Sequence, residues 1–215
     1  MTFVPPEVYD RQPLSNERDV FTGEANFSYS MLDGDDYLLA TGGYYNFANG
    51  NNGRDHIISN GGQGRYLGGA DNDRIDIWWR TEQGSWINGN NGNDIIEGRT
   101  SGVIYRGGAG NDLLRVSAGD VWGDKGSDVF QSIGGKGKAI INDYTPGEDI
   151  VLGSPIGYFR WYRLGDQRGL DYYEGDDANM RFPGITDSSQ ITVVDNLGIS
   201  YEGQFLSDNW SPYAV

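Results

Sequence analysis

Six short segments of the chain end on an aspartate that follows glycine or asparagine at fixed offsets. They are DGDD (33 to 36), GNNGRD (50 to 55), GGADND (68 to 73), GNNGND (89 to 94), GGAGND (107 to 112) and GDKGSD (123 to 128). Glycine adopts positive φ values freely, and asparagine and aspartate tolerate them better than most other residues. Such a loop turns tightly and leaves backbone carbonyls free to point inward beside the closing carboxylate. The segments are therefore candidate metal-binding loops with oxygen ligands.

The ligands that these loops offer favour calcium. Oxygen-only sites suit a hard cation, and a mixture of carbonyls with few carboxylates fits the loose shell of calcium better than the strict octahedron of magnesium. With one histidine and no cysteine, the chain lacks the ligands of a zinc site. The alternative is a set of solvated turns in an ordinary β-protein without metal. Turn chemistry alone, however, does not require an aspartate at regular intervals.

The loops alternate with segments that have the length of very short strands. Two residues after each closing aspartate stands a large apolar side chain: Leu38, Ile57, Ile75, Ile96, Leu114 and Phe130. The closing aspartates lie at 36, 55, 73, 94, 112 and 128, so the intervals between them are 19, 18, 21, 18 and 16 residues. Loop and strand therefore repeat with a period near eighteen residues.

This pattern resembles the nonapeptide repeat G-G-x-G-x-D-x-U-x of the RTX proteins, which goes with a calcium-binding parallel β-roll. Residues 107 to 115 and 89 to 97 match it best, and the resemblance covers roughly residues 31 to 152. Two nonapeptides make one turn of the roll. The resemblance implies an all-β fold, a right-handed parallel β-roll with calcium on one edge.

In that family each ion sits between equivalent loops of successive turns. The resemblance implies ligation by the carbonyls of loop positions one to four and by the closing aspartates at position six of both loops, with at most five sites for six loops. The implied ligand residues are Asp36; Gly50, Asn51, Asn52, Gly53 and Asp55; Gly68, Gly69, Ala70, Asp71 and Asp73; Gly89, Asn90, Asn91, Gly92 and Asp94; Gly107, Gly108, Ala109, Gly110 and Asp112; and Gly123, Asp124, Lys125, Gly126 and Asp128.

The second half of each turn departs from the repeat. Gly64 and Val103 stand where a closing aspartate would be, and the half-turns 77 to 88 and 116 to 122 have the wrong length. We therefore expect metal on one edge only. Asp71 and Asp124 occupy positions where the family has glycine, which leaves the backbone geometry of two loops open.

Composition narrows the function classes. A net charge of −15 and a pI near 4.2 argue against a nucleic-acid partner, which requires a basic surface. Much of the acidity lies in the candidate ligands, so we expect the chain to be disordered without calcium and folded with it. The start of the chain lacks the apolar run of a cleavable secretory signal peptide, and no apolar segment is long enough to span a membrane. The RTX resemblance implies an extracellular or cell-surface protein, exported by type I secretion.

We expect three regions along the chain. Residues 1 to 30 form an N-terminal cap, residues 31 to 152 the calcium-binding β-roll, and residues 153 to 215 a C-terminal antiparallel β cap that includes a possible secretion signal. The segment 140 to 152 resembles the strand-turn-strand that closes RTX blocks. Within it, Asp143 and Asp149 either cap the last metal loop or form a polar turn.

Two features suggest other chemistry. The insertion 77 to 88 carries Trp78, Trp79, Arg80, Glu82 and Trp86, which either form a glycan-binding platform or pack against the roll. His56 is the only histidine, and no catalytic triad can be assembled around it. Acidic pairs, such as those among Glu174, Asp176 and Asp177, are too abundant to indicate a glycosidase.

We predict a non-enzymatic, secreted or cell-surface calcium-binding protein with a structural or adhesive role, which folds and self-assembles when calcium binds. The expected partners are calcium and either copies of the chain or a surface polysaccharide. The alternatives are a glycan-binding module built on the tryptophan insertion and an exported polysaccharide-active enzyme.

Overall fold

The computed structural model of the chain describes residues 15–23, 28–43, 45–78, 83–134, 137–151, 158–164, 166–174, 177–186, 190–194 and 200–202. Its strands, in chain order, are β1 (Val20–Gly23), β2 (Ser28–Ser30), β3 (Tyr37–Ala40), β4 (Asn46–Asn52), β5 (His56–Ser59), β6 (Gly64–Ala70), β7 (Arg74–Ile77), β8 (Trp86–Asn91), β9 (Ile95–Gly98), β10 (Ile104–Ala109), β11 (Leu113–Val116), β12 (Gly119–Lys125), β13 (Val129–Ser132), β14 (Ala139–Ile141), β15 (Asp149–Val151), β16 (Tyr158–Leu164), β17 (Gln167–Glu174), β18 (Asp177–Pro183), β19 (Thr192–Val194) and β20 (Ser200–Glu202).

The strands form two sheets of ten. The first sheet has the order β1-β3-β5-β7-β9-β11-β13-β15-β19-β20, and the second has the order β16-β17-β18-β14-β12-β10-β8-β6-β4-β2. The chain alternates between the sheets, and each strand pairs in parallel with the strand one turn later, as β3 does with β5 and β4 with β6. The prediction of an all-β parallel roll is confirmed. In the described residues no helix is long and apolar enough to cross a membrane.

The stack extends beyond the boundaries expected from the sequence. At its start, β1 and β2 pair in parallel with β3 and β4, so residues assigned to the N-terminal cap take part in both sheets. At its end, β18 and β19 add parallel strands to β14 and β15, and the antiparallel strands β16, β17 and β20 follow. The antiparallel C-terminal cap is therefore present. Residues 1–14 and 203–215 lie outside the described part of the chain.

A buried ion cluster lies between the cap and the roll. Asp171 of β17, whose residue surface is 1 % exposed, accepts two hydrogen bonds of 2.7 Å from the guanidinium of Arg181 in β18. The Lys138 ammonium group, just before β14, lies 3.2 Å from the same carboxylate. A buried carboxylate requires such partners, so this cluster joins the cap to the last turn of the roll.

The interior of the roll is filled by one or two side chains from each strand, and one row in each sheet runs through all six turns. All six apolar residues that follow the closing aspartates are fully buried in the first sheet, and Ile150 and Val193 continue their row. The second sheet faces them with Ala48, Tyr66, Ile87, Tyr105, Val121 and Ile141, which are also fully buried. The repeat therefore supplies a narrow, continuous core.

The edge of the roll opposite the six loops is closed by aromatic side chains. The Tyr66 hydroxyl accepts a hydrogen bond from Ser59 Oγ at 3.1 Å, and the Tyr105 hydroxyl donates to the Thr100 carbonyl at 3.3 Å. Val103, which stands where a repeat aspartate would be, is fully buried beside them. This edge therefore has apolar and hydroxyl packing where the loop edge has carboxylates.

The irregular intervals are absorbed at this opposite edge. Between β7 and β8 the interval of 21 residues leaves the register intact, since Trp86 pairs with Arg65 and Ile77 with Gly98. Between β11 and β12 the interval of 16 residues leaves only Ser117 and Ala118 as a connection. Insertions and deletions therefore do not disturb the stacking of the six loops.

Side chains at loop position five form a hydrogen-bond ladder along the outside of the loop edge. Asn72 Oδ1 accepts from the Asn93 N–H at 2.8 Å, and Asn93 and Asn111 repeat this contact with the next loops. Asp35 does the same with the Arg54 N–H at 2.9 Å. Arg54 itself stands at position five and has no side-chain acceptor, so the ladder is interrupted between its loop and the next.

Replacing Arg54 with asparagine is expected to complete the ladder by giving the Asn72 N–H an acceptor. We expect a gain of about 0.5 to 1 kcal/mol in the free energy of unfolding, the usual net value of one exposed hydrogen bond. The urea midpoint of Arg54→Asn, measured by circular dichroism, should exceed that of Arg54→Ala, which removes the same charge without supplying an acceptor. Equal midpoints for the two variants would contradict the ladder.

Candidate metal centre

Loop positions are numbered so that the closing aspartate is position six, which makes residues 31 to 36 the first loop. The six loops share one backbone conformation. Positions two and four have positive φ in every loop: Leu32 and Gly34 (54° and 134°), Asn51 and Gly53 (74° and 116°), Gly69 and Asp71 (132° and 76°), Asn90 and Gly92 (76° and 132°), Gly108 and Gly110 (121° and 135°), and Asp124 and Gly126 (73° and 144°). Asp71 and Asp124, at family glycine positions, thus adopt the left-handed conformation that a short polar side chain tolerates. Their loops stack like the others.

The closing aspartates form a column along this edge, and one carboxylate oxygen of each is accounted for. Oδ1 of every closing aspartate accepts a hydrogen bond from the backbone N–H of the acid one turn earlier, with distances of 2.7 to 2.9 Å. The first of these donors is Asp19, which lies just before β1. The carboxylates therefore tie consecutive turns together through the backbone.

The second oxygen of each closing aspartate has no partner. Oδ2 of Asp36, Asp55, Asp73, Asp94, Asp112 and Asp128 is buried without a hydrogen bond in the described structure. These residues are at most 3 % exposed. An unpaired buried polar atom costs about 1 to 3 kcal/mol, and more when it carries charge. Its recurrence at every loop makes the column a candidate site for cations.

Glycine at loop position one brings a second oxygen to the same place. A Cβ atom added to Gly50, Gly68, Gly89, Gly107 or Gly123 would collide with Oδ2 of the closing aspartate in its own loop. At Gly68, Gly89 and Gly107 this atom would also lie 2.5 to 2.7 Å from the carbonyl oxygen of the position-one glycine in the next turn. Carboxylate and carbonyl thus converge between successive loops, in the donor combination that calcium prefers.

The pairing of the second sheet is interrupted at the same position. Arg106 pairs with Trp122 and Gly108 with Asp124, whereas the position-one glycines between them are not paired. The other long strands of the roll repeat this interruption. The carbonyl of position one is therefore available for a ligand.

Carbonyls at position three, which are among the expected ligands, also accept hydrogen bonds from neighbouring loops. The carbonyls of Asn52, Ala109 and Lys125 accept hydrogen bonds of 2.8 to 2.9 Å from the position-four N–H groups of the preceding loops. Among the expected ligands, the structure therefore brings together positions one and six. Positions two and four supply the turn.

The side chains of the two departing aspartates point away from the column. Asp71 Oδ2 accepts a hydrogen bond of 3.3 Å from the Gly53 N–H, and Asp124 forms an ion pair with Arg106. Neither side chain forms a hydrogen bond with Oδ2 of a closing aspartate.

Burial dominates the electrostatics of the column. Loss of solvation raises the pKa of Asp55 to about 7, of Asp73 to about 8, of Asp94 to about 6 and of Asp112 to about 7, although each accepts a backbone hydrogen bond that lowers it. Neighbouring carboxylates raise the pKa of Asp55, Asp73 and Asp112 further. Without a cation the column is thus an unfavourable place for negative charge.

The C-terminal end of the column involves one residue that the sequence analysis missed. Both Asp143 oxygens accept backbone hydrogen bonds of 2.9 Å, from Gly123 and Asp124, so Asp143 caps the last loop. The pairing of Val129 with Asp149 places Glu148, not Asp149, next to Asp128. Glu148 is 4 % exposed, and burial together with the charges of Asp128 and Asp143 raises its pKa to about 7. In the sequence, Glu148 was indicated only by its position 20 residues after Asp128, close to one turn of the roll.

The other candidate residues lie apart from the column. His56 Nε2 is 2.7 Å from Asp76 Oδ2 on the outer face of the first sheet, where Arg74 binds the same carboxylate. Trp78 is 42 % exposed after β7 of the first sheet, and Trp86 belongs to the second sheet. Outside the described residues lie Trp79, Arg80 and Glu82, and the side chains of Glu174, Asp176, Asp177 and Asp149.

Comparisons with protein-family models, curated proteins and solved structures returned no match. Among the described residues, no group of three or more His, Cys, Asp or Glu side chains is arranged to hold a metal ion. The donor set of the loop edge is different in kind, since each carboxylate there converges with a backbone oxygen.

The raised pKa values predict how the calcium-free chain responds to pH. A carboxyl group with a higher pKa in the folded state than in the unfolded state stabilises the fold below the unfolded value, here near 3.8, and loses this contribution as the pH rises through about 6 to 8. In calcium-free buffer, the β-sheet signal in far-UV circular dichroism should therefore be stronger at about pH 5.5 than at about pH 8. A stronger signal at the higher pH would contradict the burial of the column.

Proposed function

We propose that the chain is a calcium-dependent β-roll, in which cations bind between successive loops and the folded roll serves a structural or adhesive role outside the cell. Each cation would be held by Oδ2 of a closing aspartate and by the carbonyl of the position-one glycine in the next turn. The observation that carries this proposal is the column of six buried, unpartnered carboxylate oxygens.

The charges of the chain do not neutralise this column from within. In the described residues, no ion pair reaches a closing aspartate. Lys125 is exposed, and Lys138 is paired with Asp171. Strands of neighbouring turns are about 4.8 Å apart, so two ionised column neighbours would repel by roughly 3 kcal/mol at an effective dielectric constant near 20. A bound divalent cation converts this repulsion into attraction.

Cation binding would then supply a large part of the folding free energy. Each strand of the roll buries only one or two core side chains, and the chain contains 34 glycines, which lose more conformational entropy on folding than other residues. Because the sites exist only when the turns are stacked, binding free energy becomes folding free energy. Calcium fits better than magnesium because its flexible shell accepts carbonyls and carboxylates from two loops.

The resemblance to RTX repeats supports a secreted or cell-surface location, with export of the unfolded chain by type I secretion. Calcium sites of extracellular modules have dissociation constants of about 10⁻⁴ to 10⁻³ M. With sites of that affinity the chain would stay unfolded in the cytosol and would fold after export.

Asp94→Asn separates the charge of the column from its hydrogen bonds. The amide keeps the Oδ1 acceptor for the Asp73 N–H and removes the buried negative charge. We expect the variant to be at least as folded as the wild-type chain without calcium, but to need about tenfold more calcium to reach the same β-sheet signal, because the site formed by Asp94 Oδ2 loses its charge. The measurement is a calcium titration followed by far-UV circular dichroism, with magnesium in parallel.

Asp35→Asn is the matched control for this titration. It makes the same substitution at the exposed position five, where three other loops already carry asparagine, and Asn Oδ1 can still accept from Arg54. Its calcium midpoint should equal that of the wild-type chain. Identical midpoints for Asp94→Asn and the wild-type chain, or a wild-type chain that folds equally well without divalent ions, would refute the proposal.

Self-association is the second part of the proposed role. In the described sheets, β1 and β2 each have one paired neighbour, so the start of the roll presents strand edges that can pair with another copy. We expect size-exclusion chromatography with light scattering to show oligomers in millimolar calcium and none in chelator. A monomer under both conditions would limit the role to an isolated module.

A further inference from the structure

A continuous trough runs across the outer face of the second sheet, next to the loop edge. It consists of two adjoining cavities of about 660 and 580 Å³, and Gly69 and Asn91 line both. The trough crosses the strands from β4 to β12, so its long axis follows the axis of the roll.

The residues at loop position two give the trough a regular relief. Paired across neighbouring strands they are, in order, Asn51, Gly69, Asn90, Gly108 and Asp124. The two glycines leave notches on alternate strands, and since strands are about 4.8 Å apart the notches recur roughly every 9.6 Å. That spacing is close to the length of a disaccharide unit in an extended β-1,4-linked chain.

The notches are fixed by the backbone. Gly69 and Gly108 have φ of 132° and 121°, where side chains are strained. A Cβ on Gly69 would lie 2.6 Å from the Asn51 nitrogen, and one on Gly108 would lie 2.8 Å from the Asn90 backbone. The relief of the trough is therefore part of the fold.

The walls of the trough carry amide groups held in defined orientations. Asn49 Nδ2 donates to Asn51 Oδ1 at 2.7 Å, and Asn51 Nδ2 donates to Ser30 Oγ at 2.9 Å. Asn88 Oδ1 accepts from the Asn90 N–H at 3.0 Å, so its NH₂ group is not needed for this contact. Amides offer both donors and acceptors, as the hydroxyl groups of a sugar require.

An indole ring completes one wall. Trp86 is half-buried and lines the larger cavity, and the Arg65 guanidinium carbon lies 4.3 Å from the centre of its ring. Arg106, which lines the same cavity, is held by Asp124 and lies 5.6 Å from the centre of the Trp122 ring. Fixed aromatic rings beside polar groups suit ligands with both an apolar face and hydroxyl groups.

The local charge selects against charged polymers. The larger cavity is lined by two cations, Arg106 and Lys125, and two carboxylates, Asp124 and Asp143. This balance contrasts with the net charge of −15 for the chain. A charged ligand would gain little from such a surface, whereas a neutral ligand loses nothing.

We propose that this trough binds an extended, neutral, β-linked polysaccharide, with the part of the Trp86 indole that Arg65 does not cover contacting a sugar ring and Asn88 and Asn90 binding its hydroxyl groups. The site is distinct from the tryptophan insertion as a whole, since Trp86 and Asn88 are the only described residues of that segment that line it. It depends on the fold but not on which ion stabilises the loops.

Isothermal titration of the full chain, folded in calcium, with neutral β-1,4-linked hexasaccharides of glucose, mannose, xylose and N-acetylglucosamine tests this proposal. We expect binding of at least one hexasaccharide. Trp86→Leu removes the indole ring. Asn88→Asp keeps the oxygen that accepts from the Asn90 N–H and replaces the NH₂ donor with a negatively charged oxygen. Each should weaken binding about tenfold or more.

Two matched variants serve as controls. Trp78→Leu makes the same change at an exposed tryptophan outside the trough, and Asn93→Asp makes the same change at loop position five. Both should bind within about twofold of the wild-type chain. Circular dichroism checks the fold of every variant, and if Trp86→Leu fails to fold, Asn88→Asp decides.

Three results would overturn the proposal. The first is a folded wild-type chain that binds none of the hexasaccharides. The second is loss of binding in Trp78→Leu but not in Trp86→Leu or Asn88→Asp, which would place the glycan on the insertion. The third is a calcium-dependent dimer that Trp86→Leu and Asn88→Asp both dissociate, which would identify the trough as an interface between copies. Circular dichroism measures folding independently of sugar binding. A failure of the proposed calcium-dependent folding can therefore be told apart from a failure of the glycan proposal.

Discussion

The structure depends on how one carboxylate oxygen per turn is neutralised. Each closing aspartate uses Oδ1 to hold the backbone of the preceding turn and buries Oδ2 without a partner, and at Asp55, Asp73, Asp94 and Asp112 this oxygen lies beside a glycine carbonyl of the next turn. The first contact stacks the turns, and the second makes the stack unfavourable while the carboxylate is charged and unpartnered. In the five loops with glycine at position one, a side chain there would collide with Oδ2 of the closing aspartate, whereas the first loop has Met31 at this position.

The two edges of the roll enclose its interior with different groups, carboxylates on the loop edge and mainly aromatic and aliphatic side chains on the opposite edge. On the loop edge the chain turns through positive φ with very small residues and leaves oxygen atoms inside. On the opposite edge Tyr66, Tyr105 and Val103 fill the interior, and the polar atoms of the tyrosines find partners within the protein. The connections of different length lie on this second edge, where no row of carboxylates has to stay in register from turn to turn.

The repeat predicted the fold in some detail. All six apolar residues after the closing aspartates are buried, the strands stack in parallel, and the irregular half-turns lie on the opposite edge, as expected. This succeeded because period and residue type act together at each turn. The pattern also left open whether Asp71 and Asp124 can replace glycine, and their φ values of 76° and 73° answer it.

Other features could not be predicted from the sequence, because they depend on how the strands pair and not on a sequence motif. Asp19 and Glu148 extend the acid column although neither lies in a glycine-rich loop, and only strand pairing aligns them. The carbonyls of Asn52, Ala109 and Lys125 at position three also accept backbone hydrogen bonds from position four of the preceding loops. The trough arises from the alternation of Asn and Gly at position two, which the repeat leaves unspecified, and from the placement of Trp86 against Arg65.

The most direct test is anomalous diffraction from crystals grown in calcium, which locates the ions themselves. The account predicts a row of calcium peaks along the loop edge, each about 2.4 Å from Oδ2 of a closing aspartate and from a position-one glycine carbonyl of the next turn. Well-ordered loops in which Asp55, Asp73, Asp94 and Asp112 meet only water or protons, with no such peaks, would contradict it.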